Sequence, residues 1–173
     1  MKTTDPQDEL FDLIDENDKV IGTVKRREAN RNPKRIHRAV CILVFNKKGQ
    51  LFLQKRSKTK DTYPGYWTIS ASGHVRSGQT YRQAAIKELK EELGIKEGFS
   101  LKRLGKSLMD YPNETEYETF FQMTYIGPII LHPEEIEKGK FFTLNRKFFQ
   151  TTLKKMKISP ELDYIVINFL QKA

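Results

Sequence analysis

Three glutamates, Glu88, Glu91 and Glu92, fall close together in the stretch from Gly73 to Ile95, GHVRSGQTYRQAAIKELKEELGI. On a helix, positions three and four apart are neighbours, so these carboxylates would project side by side. Like charges so placed repel by about 0.2–0.5 kcal/mol per pair on an exposed helix, and a divalent cation would reverse that sign. Carboxylate oxygens are hard ligands, which points to magnesium or manganese. Magnesium is usually held by one or two carboxylates together with substrate phosphates. The chemistry implied is metal-assisted work on a phosphorylated compound.

The element that must carry these groups can be bounded from the sequence. Thr80 with Gln83 three residues on makes a capping box, and Gly94 sits where a helix stops. Tyr81, Ala85, Leu89 and Leu93 recur every four residues, which gives the core one stripe and leaves the glutamates along its edge, beside a cleft or solvent. Upstream, Gly73 and Gly78 bracket an expected loop whose backbone can approach a ligand. The plainer alternative is a solvated helix with Lys87 and Glu91 as an ordinary i,i+4 pair.

The wider spacing resembles the Nudix box, G-x5-E-x7-R-E-U-x-E-E-x-G-U with U apolar. Here it reads Gly73, Gln79, Lys87, Glu88, Leu89, Glu91, Glu92, Gly94 and Ile95, departing at Gln79 and Lys87. The resemblance implies a hydrolase of nucleoside diphosphates linked to another group. It also implies Mg2+ or Mn2+ held by Glu88, Glu91, Glu92 and the Gly73 carbonyl. A carboxylate must take the proton of the attacking water, and the candidates are Glu92 itself, Glu91 in the same set, or Glu134 and Glu135 on an expected loop. Lysine lacks the bidentate fork of arginine, so Lys87 should support the metal ligands more loosely.

Outside the box, the run from His37 through FNKKGQLFLQKRSKTKDTYPGYWTISASGH resembles type 1 isopentenyl diphosphate isomerase. Mapped residue by residue, that enzyme's metal ligands become Asn30, His37, His74, Glu116 and Glu118, and its proton-transferring cysteine becomes Ser72. A second metal site would therefore use His37, His74, Glu116 and Glu118. Its phosphate contacts map to Arg26, Arg56 and Lys60. Serine is a far weaker acid than cysteine, and Asn30 gives up an imidazole, so the isomerase equipment is incomplete. The favoured reading is hydrolysis of a diphosphate in a small-molecule substrate. The alternatives are isomerase-like chemistry and a non-catalytic nucleotide- or RNA-binding module.

The chain has 173 residues and a net charge of +9. Seven basic residues and one acidic one lie between Lys25 and Arg38, a tract that suits anionic substrates and equally nucleic acid, the less favoured partner. The longest aliphatic run is too short for a membrane span. The N-terminus has no apolar signal core, so a cytoplasmic protein is expected. Cys41 is expected in the core. Monomer and homodimer both stay open. Residues 1–8 read as a flexible tail and 9–173 as one domain. Hairpins are expected over 10–25 and from RAVCILVF to QLFLQKR, strands over 66–70, 101–109, 116–125 and 141–144, and helices over 145–155 and 160–171. This order implies an α/β (α+β) fold: an α/β/α sandwich with a mixed sheet, an N-terminal β-hairpin and a C-terminal helix.

Overall fold

The computed structural model describes residues 3–170. The chain opens with a hairpin of β1 (Leu10–Ile14) and β2 (Val20–Lys25). Its turn is tied by Asp15 Oδ1, which accepts from the Asn17 and Lys19 amides. Phe11 and Val24 anchor the hairpin through a small core shared with Ala29. A one-turn helix, α1 (Arg26–Ala29), follows within the basic tract.

Much of that tract is neutralised locally. Lys25 and Arg27 pair with Asp8, Arg26 with Glu9, and Arg38 with Asp12 and Asp18. The expected anion-attracting surface is correspondingly smaller than its residue count suggests. Asp5, in the segment read as a tail, is only 6% exposed and is paired with Lys60.

Seven strands form the mixed sheet, β3 (His37–Phe45), β4 (Leu51–Arg56), β5 (Trp67–Thr68), β6 (Ala71–His74), β7 (Lys102–Asp110), β8 (Thr115–Thr124) and β9 (Ile136–Phe142). β3 runs parallel to β8 and antiparallel to β6. The expected second hairpin forms only at its turn: β3 and β4 pair at Phe45–Leu51 and then part, β3 continuing against β6 and β4 against β9 and β5. The buried backbone groups at the split still need partners. Ser70 supplies them, its hydroxyl accepting from the Val44 amide at 2.8 Å and donating to the Phe52 carbonyl at 2.6 Å.

Side chains alternate across β3. Val40, Ile42 and Val44 pack with Leu89 and Leu93 of α2 (Tyr81–Leu93), while Cys41 and Leu43 pack with Phe120, Leu162 and Ile165 on the opposite face. Those are the two cores of an α/β/α sandwich. The last strand is Ile136–Phe142 rather than 141–144. The expected helix over 145–155 is a π turn, Phe148–Thr152, followed by a 3-10 turn, Leu153–Lys155. The final one is α3 (Pro160–Ile165), capped by Ser159 and continued as a π turn over Val166–Leu170; residue 171 lies outside the described residues. No helix among the described residues is long and apolar enough to cross a membrane.

Candidate active site

α2 starts and stops where its caps dictate. Thr80 Oγ1 accepts from the Gln83 amide, the Gln83 side chain reaches back to the Thr80 amide, and Gly94 takes the left-handed conformation at φ 67°. This fixes the register of the glutamates. Glu88 and Glu92 face inward, 8% and 5% exposed, while Glu91 stands at the rim with its side chain 53% exposed. All three line an open cleft at the β3–β4 split.

Each carboxylate has one oxygen engaged. Lys87 Nζ lies 2.7 Å from Glu88 Oε1 and 2.9 Å from Glu91 Oε2, and Gln54 Nε2 donates to Glu92 Oε2 at 2.6 Å. Lys87 therefore does reach the neighbouring glutamates. Gln79 does not; its Oε1 accepts from the Arg76 amide in the preceding turn. Burial, with the charges of Glu88 and Glu135 nearby, pushes the Glu92 carboxyl up to about 8. Burial also raises Glu88, against the pull of Lys87.

Gly73 is a strand residue of β6 opposite Val40, not part of a loop. Its lack of a side chain makes room for Glu88, because a Cβ there would lie 2.5 Å from Glu88 Cδ and force that carboxylate to move. The left-handed Gly78, at φ 77°, forms the turn instead. A glycine cradle under one carboxylate, with two more carboxylates beside it, is an all-oxygen donor set suited to Mg2+ or Mn2+.

A second group projects from the other face of the β3–β6 pair, since His37, opposite Glu116, and His74, opposite Ala39, share a parity that Val40 and Gly73 do not. Donor atoms of His37, His74, Glu114 and Glu116 lie within 4.8 Å of one another. His74 Nε2 is 2.7 Å and His37 Nε2 3.1 Å from Glu116 Oε1. His37 Nδ1 is 3.1 Å from the Arg35 carbonyl. A carbonyl only accepts, so Nδ1 carries the proton and a neutral ring keeps its lone pair on Nε2. That Nε2 is buried without a hydrogen-bonded partner, as a metal-ligating nitrogen would be. Burial lowers His74 to about 4, so it is uncharged at neutral pH. Burial alone would raise Glu116, yet His74, its Nε2 2.7 Å away, holds it well below the usual carboxylate range.

The cluster contains Glu114, whereas the resemblance pointed to Glu118 as its fourth member. Glu118 points the same way but is fully buried and already bound by Cys41 Sγ at 3.0 Å and by the Tyr111 hydroxyl. Burial and the Glu116 charge raise its carboxyl. Glu114, just before β8, is raised to about 9 by burial and the same neighbour. Asn30, with its amide turned to satisfy both ends, donates to Glu114 Oε2 at 3.2 Å. Cys41 is buried as expected, and Ser72 pairs with it across the two strands.

The expected phosphate contacts all line the cleft. Arg26 is held by Glu9 at 2.8 Å, and Lys60 by Asp5 and by Glu135 at 2.6 Å. Arg56 donates to the Thr62 carbonyl and hydroxyl and has no ion pair among the described residues. Glu135 lines the cleft, whereas Glu134 is exposed outside it, so the structure does not bring Glu134 to the site. Sequence reasoning missed Gln54 and Asp5. Gln54 carried a weak signal, an uncharged polar residue at the end of the apolar run of β4 and in register with Phe52; Asp5 carried none.

The description that matches this chain is the NUDIX domain, over residues 35–160. An uncharacterized Nudix hydrolase of Pseudomonas aeruginosa is 37% identical over 133 residues, covering 77% of this chain and 78% of that protein. An isopentenyl-diphosphate Delta-isomerase of Streptomyces avermitilis is 31% identical over 140 residues, covering 78% and 71%. The crystal structure of a Deinococcus radiodurans protein, DR0079, superposes with a TM-score of 0.78 at 24% identity over 92% of this chain and 98% of that one, a likeness of fold.

Proposed function

The chain belongs to the Nudix family, and from that premise we propose that it hydrolyses a diphosphate linkage in a nucleoside diphosphate derivative or similar small molecule. In this reading Glu88, Glu91, Glu92 and the Gly73 carbonyl hold Mg2+ or Mn2+. The observation that carries it is the set of three carboxylates each tethered by one oxygen, with Glu88 seated against a glycine whose replacement would displace it. Neither Glu88 Oε2 nor Glu92 Oε1 is among the buried unpartnered atoms, which is consistent with both opening on the cleft.

A divalent ion bound there neutralises diphosphate charge and lowers the pKa of an attacking water. The rest falls to the chain's own side chains. Arg56, without an ion pair among the described residues, offers a planar fork to phosphate oxygens. Arg26 and Lys60 can do the same only by exchanging carboxylate for phosphate. Glu135 is favoured over Glu134 as proton acceptor because it lines the cleft. The test is a phosphate-release screen over nucleoside diphosphates, triphosphates, sugar nucleotides, coenzyme A and dinucleotides with Mg2+ or Mn2+. A metal-dependent turnover that E91Q and E92Q abolish is expected, and turnover retained in both variants refutes the assignment.

A second reading, isomerase-like carbon chemistry with a cation at His37, His74, Glu114 and Glu116, is favoured by the buried, unpartnered His37 Nε2. Against it, Ser72 offers no thiol. Deuterium uptake by isopentenyl diphosphate in deuterated water, followed by NMR, would establish that reading; no uptake is expected.

A further inference from the structure

We propose that Gln54 is a positioning residue, fixing one oxygen of Glu92 so that the other is presented to a divalent cation. The inference rests on the metal reading above and deepens it.

β4 alternates, with Leu51 and Leu53 in the core facing α3 and Phe52 in the core facing α2. Gln54 shares the parity of Phe52, so an apolar residue would suit its place. Instead an amide sits there at 1% exposure, fixed by pairing with Thr68 of β5 on one edge and Gly139 of β9 on the other. Burying an amide is unfavourable unless it finds a partner. Its partner is Glu92 Oε2, at 2.6 Å, a bond that ties β4 to α2.

The kind of donor matters. Lys87 restrains Glu88 and Glu91 with a full positive charge, which cancels part of what those carboxylates offer a cation. Gln54 is neutral, so it orients Glu92 without setting a positive charge against the cation. Glu92 is also the most buried of the three, where a misaimed oxygen has least room to correct itself. Supporting groups of this type tune metal affinity through ligand orientation.

The experiment is titration of the full chain with Mg2+ by calorimetry, Mg2+ being chosen because imidazole ligands take it poorly. Q54M keeps the side-chain length and removes the donor. It is expected to weaken Mg2+ binding by roughly ten- to a hundredfold with an unchanged circular dichroism spectrum. In the E92Q background Q54M should cause no further loss, because its effect runs through Glu92. Wild-type affinity in Q54M, or losses that simply add in the double variant, would overturn the inference while leaving the metal reading intact. Absence of Mg2+ binding by the unsubstituted chain would overturn both. If Q54M does not fold, Q54N, whose amide falls one methylene short of Glu92, carries the same test.

Discussion

Replacing Glu92 by glutamine should stabilise the metal-free protein at pH 8 and change little at pH 5. Glu92 is buried, and its carboxyl is pushed up to about 8 by that burial and by Glu88 and Glu135. In the unfolded chain it titrates near the ordinary 4.5. A raised carboxyl means the folded state holds a proton that the unfolded state has released, so stability falls as pH climbs from about 4.5 to about 8. At about 1.36 kcal/mol per pKa unit, the full displacement is on the order of 4 kcal/mol at pH 8, and under about 1 kcal/mol at pH 5. Glutamine mimics the neutral acid, carries no such cost, and can still accept from Gln54. The assay is urea unfolding in EDTA at half-unit steps of pH. Wild type should lose stability across the interval, and E92Q should follow a much flatter course, the curves diverging by on the order of 3 kcal/mol. Parallel curves would refute the claim that Glu92 holds its proton in the empty cleft. With saturating Mn2+ the order should invert, since an ion needs the ionised carboxylate.

Three other perturbations test neighbouring parts of the cleft. G73A places a Cβ 2.5 Å from Glu88 Cδ. Glu88 must then move, so a stability loss of about 1–3 kcal/mol should accompany weaker Mn2+ binding, and a well-folded G73A with wild-type affinity would contradict the packing. K87M removes the cation between Glu88 and Glu91; it should lower the thermal midpoint in EDTA and enlarge the rise that Mn2+ produces, measured by scanning calorimetry. D5N breaks the buried contact with Lys60, at a cost on the order of 3 kcal/mol at pH 7. Burial opposes ionisation of Asp5, but the Lys60 ammonium holds its carboxyl well below the usual range. That contribution is present above about pH 4 and is lost as pH falls, so wild type and D5N should converge in acid.

How much of this was legible in the sequence depends on whether the signal was local. The capping box, Gly94 and the four-residue apolar period fixed α2, and with it Glu88, Glu91 and Glu92, because helix geometry is written in neighbouring residues. β7 and β8 likewise fall within a residue of the strands expected over 101–109 and 116–125. The sequence misled where partners are distant. β3 and β4 read as a simple hairpin, yet their parting depends on β6 and β9, thirty to ninety residues downstream in pairing terms that no short window contains. Glu118 alternates with Glu116 and was a fair choice on parity, but Glu114 shares that parity too. What separates them is Cys41 on β3 and Tyr111 in the turn after β7, which both bind Glu118. Gly73 was recognised by spacing and assigned to a loop, while its packing against Glu88 needs the sheet in place.

The arrangement of charge explains why the cleft should respond to cations as a unit. The chain carries a net +9, yet it buries Glu88, Glu92, Glu114, Glu116 and Glu118 around one opening. Protein groups answer some of that charge: Lys87 serves Glu88, His74 serves Glu116, and Glu92, Glu114 and Glu118 are raised towards the neutral acid. Such protonation is the response of carboxyls that lack a counter-ion, and it holds the metal-free fold below the stability its packing would otherwise give. A ligand that binds only the folded state adds RT ln(1 + [L]/Kd), about 2.7 kcal/mol at a hundredfold excess over Kd. Because Glu92 must release its proton to bind an ion, that gain should grow with pH between about 5 and 8. The same dependence in E92Q would mean that the ion is being read by the histidine cluster instead.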